Sequence, residues 1–376
     1  MMIGLLGCGV VGSGVKRIVD EAYTSETASL CIKKILVKEG HRGNDKRETC
    51  NIDDILNDSD IDTVVECIGG LEPAHTYVKK VLEAHKNAVT SNKKMLAVYG
   101  WELFVLAKRN HVCLLYEASV AGGIPWMKEI SRIRRIDDIV SFEGIMNGTT
   151  NYILSSMNEE KTDFGSALHK AQELGYAERD PSDDIDGLDV RYKTALTAMS
   201  AFDVSVNPED IPCFGIRYMK EEDMQFAQSA GLNIKLLGRG KKENDGVTLN
   251  AMPCFIKDKS VLAHIQSNYN AVSCVSETLG KAMFIGQGAG SLPTAHAIVQ
   301  DLLDLQYKCI SPVHAIKKVS LKYDKEGIFY IRTKCNVDAI AHQKAGKNAI
   351  LTEKVSLEKA VSLFQEDKEA FIGEVL

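Results

Sequence analysis

A cluster of acidic residues followed by a lysine is the stretch whose residue types and spacing point most directly to chemistry. Residues 174–193 read L-G-Y-A-E-R-D-P-S-D-D-I-D-G-L-D-V-R-Y-K and contain six acids: Glu178, Asp180, Asp183, Asp184, Asp186 and Asp189. Two glycines and a proline interrupt this stretch, and a helical pattern begins only after Gly187. Asp189 and Lys193 then lie four residues apart on one helix face. Such carboxylates could hold an ammonium group of a small molecule while the lysine handles a proton.

The composition limits the class of protein. A chain of 376 residues is long enough for two hydrophobic cores. Its net charge of -6 argues against a nucleic-acid partner, which would require a basic face. The ten cysteines never form a C-x-x-C pair, so free thiols in a reducing compartment are expected. No uncharged run approaches the roughly 18 residues of a membrane span, and the N-terminus lacks a basic signal region, so we predict a cytoplasmic protein without a membrane partner.

A glycine motif at the start of the chain predicts a dinucleotide site. Residues 3–6 are apolar and strand-like, and they are followed by Gly7-Cys8-Gly9-Val10-Val11-Gly12 and a helical pattern over residues 13–23. In this context, Gly7 makes the tight turn, Gly9 admits a pyrophosphate, and Gly12 lets helix and strand pack closely. The pyrophosphate would then lie on the N-terminus of this helix. A glycine-rich turn in another α/β domain is the alternative.

Alternating strands and helices continue this pattern. Further strands are predicted at residues 30–37, 62–66, 87–90 and 112–116, with a helix at 74–85. Strands that alternate with helices predict a parallel sheet whose ligands bind beyond the carboxyl ends of the strands. The residues that follow each strand are therefore the candidates for ligand contact.

Lys38 follows the second strand, where a carboxylate favours NAD and a basic residue favours NADP. Lys38 and the nearby Arg42, Lys46 and Arg47 therefore favour NADP, with NAD possible. The alternative is that these are ordinary solvated loop charges.

Two later strand ends should border the nicotinamide. The first carries Ile68 and Gly69, and the second carries Ser91 and Lys93. A lysine directly after a buried strand is a candidate for chemistry, although a plain surface pair with Lys94 remains the alternative.

The loop after the strand at residues 112–116 has the composition of an oxygen-lined cage. Glu117 and the carbonyl groups of the small-residue stretch A-S-V-A-G-G-I-P could bind a hard cation. A glutamate at a strand end is more often hydrogen-bonded to backbone, which is the alternative.

The character of the sequence changes from about residue 126. A strand at 139–145 leads to the turn M-N-G-T-T-N-Y, whose hydroxyl and N–H groups could bind a carboxylate or simply cap the helix predicted at 152–157. Strands at 235–238, 247–255 and 270–278 predict an open mixed sheet with helices on one face, and its exposed face or edge predicts a homodimer.

A second glycine loop at 286–294 precedes a helix at 295–305, and the tail has one clear strand at 328–332 and a helical segment at 358–365.

These motifs, taken together, resemble the homoserine dehydrogenase family. The resemblance covers residues 2 to about 310 and rests, in order, on G-L-L-G-C-G-V-V-G-S-G-V, V-V-E-C-I-G-G, T-S-N-K-K, Y-E-A-S-V-A-G-G-I-P, G-I-M-N-G-T-T-N-Y-I-L, the 174–193 block and G-Q-G-A-G-S-L-P-T-A. It implies an α/β fold, a Rossmann-type dinucleotide-binding domain plus an α+β catalytic domain with an open mixed sheet. It also implies reversible interconversion of L-homoserine and L-aspartate 4-semialdehyde with NAD(P)(H), in threonine, methionine and isoleucine biosynthesis.

The resemblance assigns roles to individual residues. It implies that Lys193 is the acid/base group and Lys93 its partner, with a lysine pKa lowered from about 10.4 by a second ammonium and burial. The implied substrate contacts are Glu178, Asp189, Asp183, Asp184, Tyr176 and Thr149. The implied cofactor contacts are Gly7, Gly9, Val10, Val11, Gly12, Lys38, Ile68, Gly69, Ser91, Lys93, Gly175 and Gly288. A monovalent cation, expected to be sodium, is implied at Glu117, Val120, Gly122 and Ile124.

The expected domains are residues 1–125, completed by 286–318, for the dinucleotide, and 126–285 for catalysis and dimerisation. Residues 319–376 form a short extension that resembles a degenerate or truncated ACT segment, and C-N-V-D-A-I-A replaces the proline-glycine-valine turn of that domain, so threonine inhibition is not expected. Three other readings stay open: a related NAD(P) oxidoreductase for another small aldehyde, a non-catalytic NAD(P)-binding homologue, and a structural homologue.

Overall fold

The computed structural model describes residues 1–244, 246–309, 316–321 and 326–376. Its strands, numbered in chain order, are β1 (Met2–Leu6), β2 (Cys31–Leu36), β3 (Glu48–Thr49), β4 (Thr63–Glu66), β5 (Asn87–Thr90), β6 (Leu114–Leu115), β7 (Ile139–Ile145), β8 (Val204–Ser205), β9 (Leu232–Glu243), β10 (Gly246–Lys257), β11 (Tyr269–Ser276), β12 (Gly280–Gln287), β13 (Lys317–Lys318), β14 (Glu326–Arg332), β15 (Ala341–Lys344), β16 (Ala349–Thr352), β17 (Val355–Ser356) and β18 (Phe371–Val375). Its helices are α1 (Val10–Glu21), α2 (Asp53–Leu56), α3 (Ala74–Glu83), α4 (Lys93–Arg109), α5 (Trp126–Ile133), α6 (Gly148–Glu159), α7 (Phe164–Glu173), α8 (Ser182–Ile185), α9 (Leu188–Phe202), α10 (Glu221–Ser229), α11 (Ser291–Tyr307) and α12 (Leu357–Ser362).

The chain divides into two compact units. The first comprises Met1–Ile136 and Gln287–Ile316, and the second comprises Asp137–Gly286 and Lys317–Leu376. Residues 310–315, which fall in the segment predicted to complete the dinucleotide domain, lie outside the described residues. In the part of the chain that is described, no helix is both long and apolar enough to cross a membrane.

The first unit is built on a parallel sheet of six strands. Their order is β3-β2-β1-β4-β5-β6, and every paired neighbour runs parallel. Strands β1 and β4 are buried over nearly their whole length, as expected for a parallel sheet covered on both faces. This order is that of the doubly wound dinucleotide fold, which places a ligand crevice where the order reverses, between β1 and β4. The predicted Rossmann-type domain is confirmed.

Helix α11 joins this unit by packing against α1. A Cβ at Gly14 would lie 2.9 Å from the Cβ of Ala295, so the two helices approach at a glycine. The shared core includes Val15 and Ile18 of α1 and Ile298 of α11. Helix α11 begins four residues before the predicted start, because the first turn of a helix tolerates a proline such as Pro293.

The second unit is built on a mixed sheet with the order β12-β11-β7-β9-β10-β18-β14-β16-β15, with β17 beside β14. The pair β10 and β18 is parallel, whereas the pairs β7–β11, β7–β9 and β9–β10 are antiparallel. The predicted mixed sheet is therefore confirmed. Sequence patterns did not predict β12, which lies beside β11, or the short strands β15, β16 and β18. Of these, β18 pairs with β10 and β14, which are far away in the chain.

One face of this sheet carries helices α6, α7 and α10, whose apolar residues share a core with Leu236, Phe255 and Tyr330. The other face carries α12 and the 3-10 turn Val261–His264, around Met252 and Phe329. The prediction of helices on one face was therefore incomplete. Helix α9 packs against β9 and β10 and is buried almost all round. Its buried charged residues must find partners, because an unpaired buried charge is strongly unfavourable.

The C-terminal segment is part of the second unit. Strand β14 lies between β18 and β16, and β18 pairs with β10. Arg332 donates hydrogen bonds to both carboxylate oxygens of Asp223, at 2.8 and 3.0 Å, and Tyr330 donates one to Asp223 Oδ1 at 2.8 Å. Asp223 is fully buried in α10, so this cluster ties the C-terminal strands to that helix.

Candidate active site

The turn between β1 and α1 has the geometry of a phosphate-binding loop. Gly7 has a φ of +88°, which favours glycine, and a Cβ on Gly12 would lie 2.1 Å from the Gly7 carbonyl oxygen. A Cβ on Gly9 would meet nothing within 4 Å, so this position faces open space. Val10 and Val11 begin α1, and the Val10 side chain is 72% exposed. The backbone here is accessible to a ligand at a helix N-terminus.

This turn opens into a cleft of about 620 Å³, a volume typical of cofactor sites. Residues that line this cleft near the turn include Gly7, Gly9 and Ile68. Its lining also includes the charged or ionisable side chains of Lys38, Glu39, His41 and Glu48. Arg47 is held by Asp20 and Asp45, both at 2.7 Å, and therefore serves a structural ion-pair cluster. Of the four basic residues noted after β2, Lys38 is the one that lines this cleft.

The carboxyl ends of β4 and β5 lie side by side and are joined through Glu66, which sequence reasoning did not single out. This buried carboxylate accepts hydrogen bonds from the Ile68 N–H at 2.7 Å, the Gly69 N–H at 3.0 Å and the Thr90 hydroxyl. Ser91 follows β5, and Lys93 is the first residue of α4. The residues predicted to border the nicotinamide, Ile68, Gly69, Ser91 and Lys93, therefore follow the carboxyl ends of two adjacent strands.

Glu117 caps a helix. Its two carboxylate oxygens accept hydrogen bonds from the Met127 N–H at 3.1 Å and the Lys128 N–H at 2.7 Å, in the first turn of α5. Its own N–H donates to Asp301 at 3.0 Å. Burial raises the pKa of Glu117 to about 7 and also raises that of Asp301. The sequence left two possibilities for Glu117, a cation ligand or a hydrogen-bond partner of the backbone. The Glu117 side chain makes the backbone contacts.

The remaining predicted cation ligands lie on the loop that follows. Ala121 and Gly122 both have positive φ, and a Cβ on Gly122 would lie 2.5 Å from the carbonyl of Gly288. The Ile124 carbonyl already accepts a hydrogen bond from Trp126 at 2.7 Å, and Val120 is buried. Among the described residues, no group of three or more His, Cys, Asp or Glu side chains is arranged to hold a metal ion. A cation at this loop would depend on carbonyl oxygens.

In the second unit, Lys193 and Asp189 form a buried ion pair on α9. The Lys193 ammonium donates to Asp189 Oδ2 and to the Met146 carbonyl, both at 2.7 Å. Lys193 and Asp189 are 7% and 4% exposed, respectively. A lysine held in this way has a defined position and can present a proton at one point.

Asn147 joins this pair to a second acid. Its Nδ2 donates to Asp184 Oδ1 at 2.6 Å and to Asp189 Oδ2 at 2.9 Å. Its Oδ1 accepts a hydrogen bond from the Thr150 N–H at 2.8 Å and so caps α6. This cap is why α6 begins at Gly148 rather than at residue 152 as predicted. The sequence marked this turn as a candidate for binding but did not identify Asn147 as the group that links the acids.

The remaining predicted substrate residues lie on the loop between α7 and α8, within α8 and at the start of α6. Glu178 and Asp183 are exposed. The Thr149 hydroxyl donates to the Tyr176 carbonyl at 2.6 Å, and the Tyr176 ring lies 5.0 Å from that of Tyr152. Gly175 has a φ of +75° and faces open space.

The six acids of the 174–193 block therefore have different roles. Asp184 and Asp189 belong to the network around Lys193. Asp180 accepts hydrogen bonds from Ser182 at the start of α8, and Asp186 binds Arg217. Lys93 and the glycine motif belong to the first unit, whereas Lys193 and its acids belong to the second.

Comparisons with known proteins agree with these features. Residues 7–117 match the family model "Homoserine dehydrogenase, NAD binding domain", and residues 125–303 match the model "Homoserine dehydrogenase". The homoserine dehydrogenase of Bacillus subtilis (strain 168) is 37% identical over 335 residues, which cover 86% of this chain and 77% of that protein. The homoserine dehydrogenase of Synechocystis sp. is 40% identical over 317 residues, which cover 81% and 72%, respectively.

Solved structures agree as well. The crystal structure of a homoserine dehydrogenase from Thiobacillus denitrificans matches with a TM-score of 0.88 at 30% identity and covers 100% of this chain and 98% of that chain. The Staphylococcus aureus homoserine dehydrogenase crystallised at pH 7.5 matches with a TM-score of 0.79 at 32% identity and the same coverage. The chain therefore belongs to the homoserine dehydrogenase family of NAD(P)-dependent oxidoreductases that act on a CH–OH group.

Proposed function

We propose that this chain interconverts L-homoserine and L-aspartate 4-semialdehyde, with NADP(H) as the preferred cofactor, in the biosynthesis of threonine, methionine and isoleucine. The observation that carries the proposal is the buried network in which Asp189 and the Met146 carbonyl hold the Lys193 ammonium and Asn147 in turn binds Asp189. A dehydrogenase for an amino-acid alcohol needs such a fixed proton donor and acceptor.

Lys193 is the proposed acid/base group. When bound, the nicotinamide ring supplies or accepts the hydride. In the reductive direction, the Lys193 ammonium gives a proton to the developing hydroxyl oxygen, and in the oxidative direction the lysine takes that proton back. Asp189 and the Met146 carbonyl hold the side-chain nitrogen in place throughout. Lys93 is the proposed second ammonium, and it would stabilise negative charge on the same oxygen.

The acids near the loop between α7 and α8 are the proposed ligands of the substrate ammonium group. Exposed Glu178 and Asp183 are available to a ligand, and Asp184 accepts a hydrogen bond from Asn147. Asp189 is a further proposed ligand. Tyr176 and Thr149, which are joined by a hydrogen bond from the Thr149 hydroxyl to the Tyr176 carbonyl, are also proposed to contact the substrate.

NADP preference is proposed from Lys38. This lysine lines the cleft at the end of β2, where a cofactor 2′-phosphate would be recognised by a basic group. The same cofactor is proposed to contact Gly7, Gly9, Val10, Val11, Gly12, Ile68, Gly69, Ser91, Lys93, Gly175 and Gly288. Lys38→Gln should lower kcat/KM with NADPH at least tenfold and leave kcat/KM with NADH within about threefold. Lys46→Gln is the matched control, and an unchanged preference for NADPH in Lys38→Gln would contradict the assignment.

A monovalent cation, sodium being the expected ion, is proposed at the carbonyl groups of Val120, Gly122 and Ile124. Glu117 directly precedes this loop, and its N–H donates to the carboxylate of Asp301. Burial raises the pKa of both carboxyl groups, and a nearby cation would favour their charged forms. Replacing sodium by tetramethylammonium should lower activity if the ion binds there, and equal rates in both salts would count against it.

A cytoplasmic homodimer is the proposed state of the protein. Strand β12 forms one edge of the mixed sheet, none of its residues is fully buried, and Ile285 is 52% exposed. An exposed edge of this kind favours pairing with another copy. The ten free cysteines suit a reducing compartment. Sedimentation equilibrium measures the assembly directly, and a monomer at micromolar concentration would contradict a dimer.

One assay tests the activity as a whole. The purified chain is mixed with L-aspartate 4-semialdehyde and NADPH, and the loss of NADPH absorbance is followed, first with NADPH and then with NADH. Oxidation of NADPH that depends on the semialdehyde, and formation of NADPH from homoserine and NADP, are the expected results. Turnover of other small aldehydes alone would indicate a related oxidoreductase. NADPH binding without turnover of any aldehyde would indicate a non-catalytic homologue.

A further inference from the structure

A single arginine holds the short helix that carries two of the proposed substrate acids. Helix α8 contains only four residues, among them Asp183 and Asp184. The Arg217 guanidinium donates to both carboxylate oxygens of Asp186, at 2.6 and 2.7 Å, and to the Ser182 hydroxyl at 3.0 Å. Ser182 is the first residue of α8 and Asp186 follows its last residue, so one side chain ties both ends of the helix together.

The backbone around Arg217 supports the same helix. The N–H groups of Ile216 and Arg217 donate to the Ile185 carbonyl at 2.7 and 3.2 Å. A Cβ on Gly215 would lie 2.0 Å from that carbonyl oxygen, so only glycine allows this approach. The segment before α10 therefore forms a support that fits the end of α8 closely.

A helix of one turn cannot hold its own shape, because helix nucleation costs more than a single turn regains. The positions of Asp183 and Asp184 therefore depend on the contacts that α8 makes with the rest of the unit. Two such contacts are on opposite sides: Asn147 binds Asp184, and Arg217 binds Asp186. The network around Lys193 is thus connected to Arg217 through α8.

We propose that Arg217 is a positioning residue for substrate binding, which acts by holding α8 so that Asp183 and Asp184 face the ammonium group of the substrate. The inference rests on the proposed role of these acids. A bidentate arginine suits this task because its planar fork fixes direction as well as distance, which a lysine cannot reproduce.

The test compares Arg217→Met with Arg217→Lys and with Arg179→Met, in which an exposed arginine of the loop between α7 and α8 is removed. Arg217→Met should raise KM for homoserine at least tenfold, with kcat lowered by less than about threefold and with Kd for NADPH unchanged. Arg217→Lys should give an intermediate KM, and Arg179→Met should resemble the parent protein. Asp186→Asn removes the same ion pair from the other side and should raise KM in the same way, which keeps the test informative if Arg217→Met does not fold.

A double-mutant cycle separates positioning from a merely structural role. Asp184→Asn should raise KM strongly in the parent chain but by less than about threefold when Arg217→Met is already present, because Asp184 is then displaced. An unchanged KM in Arg217→Met, or fully additive effects in the cycle, would overturn the proposal while parent activity with homoserine still supports the proposed function. Absence of that parent activity would instead overturn the proposed function.

Discussion

Lys193 and Asp189 lie one turn apart on α9, and the lysine ammonium donates to the aspartate carboxylate over 2.7 Å. Both side chains are buried, and a buried ion pair compensates for lost hydration only when further hydrogen bonds complete it. The Met146 carbonyl and Asn147 supply those bonds. A pair completed in this way holds the lysine nitrogen at one point in the second unit.

Replacing this lysine should remove chemistry and leave cofactor binding. We expect Lys193→Ala to lower kcat by about 1,000-fold, a typical loss for an acid/base group. The Kd for NADPH, measured by fluorescence titration, should stay within twofold, because the glycine motif belongs to the first unit. Lys170→Ala, which removes an exposed lysine paired with Glu160, is the control. Near-normal turnover in Lys193→Ala would refute the role of Lys193.

The two functions of Asn147 can be separated by one substitution. Asn147→Asp keeps an oxygen that can cap α6 but replaces the Nδ2 donor by a carboxylate facing Asp184 and Asp189. Like charges at this distance should displace the network and lower kcat/KM roughly 100-fold. Because aspartate can still cap α6, any fall in the melting temperature reports repulsion among the buried carboxylates and not loss of the cap. Asn158→Asp, on the same helix, should have normal kinetics, and normal kinetics in Asn147→Asp would show that the link between the acids is dispensable.

Glu178 should affect binding more than turnover. We expect Glu178→Leu to raise KM for homoserine by about 10- to 100-fold, the range for a lost hydrogen bond to a charged group. Its kcat should stay within about threefold, because Glu178 is proposed to hold the ammonium group and not the reacting carbon. Glu173→Leu removes another exposed acid close by in the chain and serves as the control. If Glu178→Leu has the KM of the parent protein, the substrate ammonium group lies elsewhere.

Lys235 should make stability depend on pH above neutrality. This lysine on β9 is buried, it donates to Asn151 and to the Ile265 carbonyl, and burial lowers its pKa to about 8. The unfolded chain holds the proton up to about pH 10.4, so between pH 8 and that value the unfolded state binds more protons and folding becomes more favourable as pH rises. Below pH 8 both states are protonated, and the full cost of the buried charge is present.

The corresponding measurement is the free energy of unfolding in urea at pH 7 and pH 9.5. The parent protein should gain about 2 kcal/mol relative to Lys235→Met over this interval. Lys241→Met, which removes an exposed lysine from the same strand, should follow the parent protein. Parallel pH dependence in the parent protein and Lys235→Met would mean that Lys235 does not lose its proton in this range.

Local patterns predicted those features that depend on neighbours in the chain. The spacing of Asp189 and Lys193 placed both on one face of a helix, and the structure shows them bonded. Alternation of strands and helices predicted the parallel sheet of the first unit, because right-handed crossovers leave few other arrangements.

Features that join distant parts of the chain were not predicted. Asn147 reaches Asp189 across 42 residues, and Arg217 reaches Asp186 across 31. Strand β18 pairs with β10 although the two are far apart in the chain, and its short length gave little pattern to read. A short polar side chain is compatible with many partners, so its sequence context does not say which one it will meet.

The sequence by itself determined the family through the resemblance of its motifs, and the two kinds of sheet through the pattern of strands and helices. Residue type then singled out the candidate groups for moving a proton and for binding an ammonium ion. Only the tertiary structure decided which acids surround Lys193, which one binds Arg217, and that the Glu117 carboxylate caps a helix. The physical reason is that a buried polar group must be matched by a partner, and the partner is chosen by packing among elements that the chain brings together only when it folds.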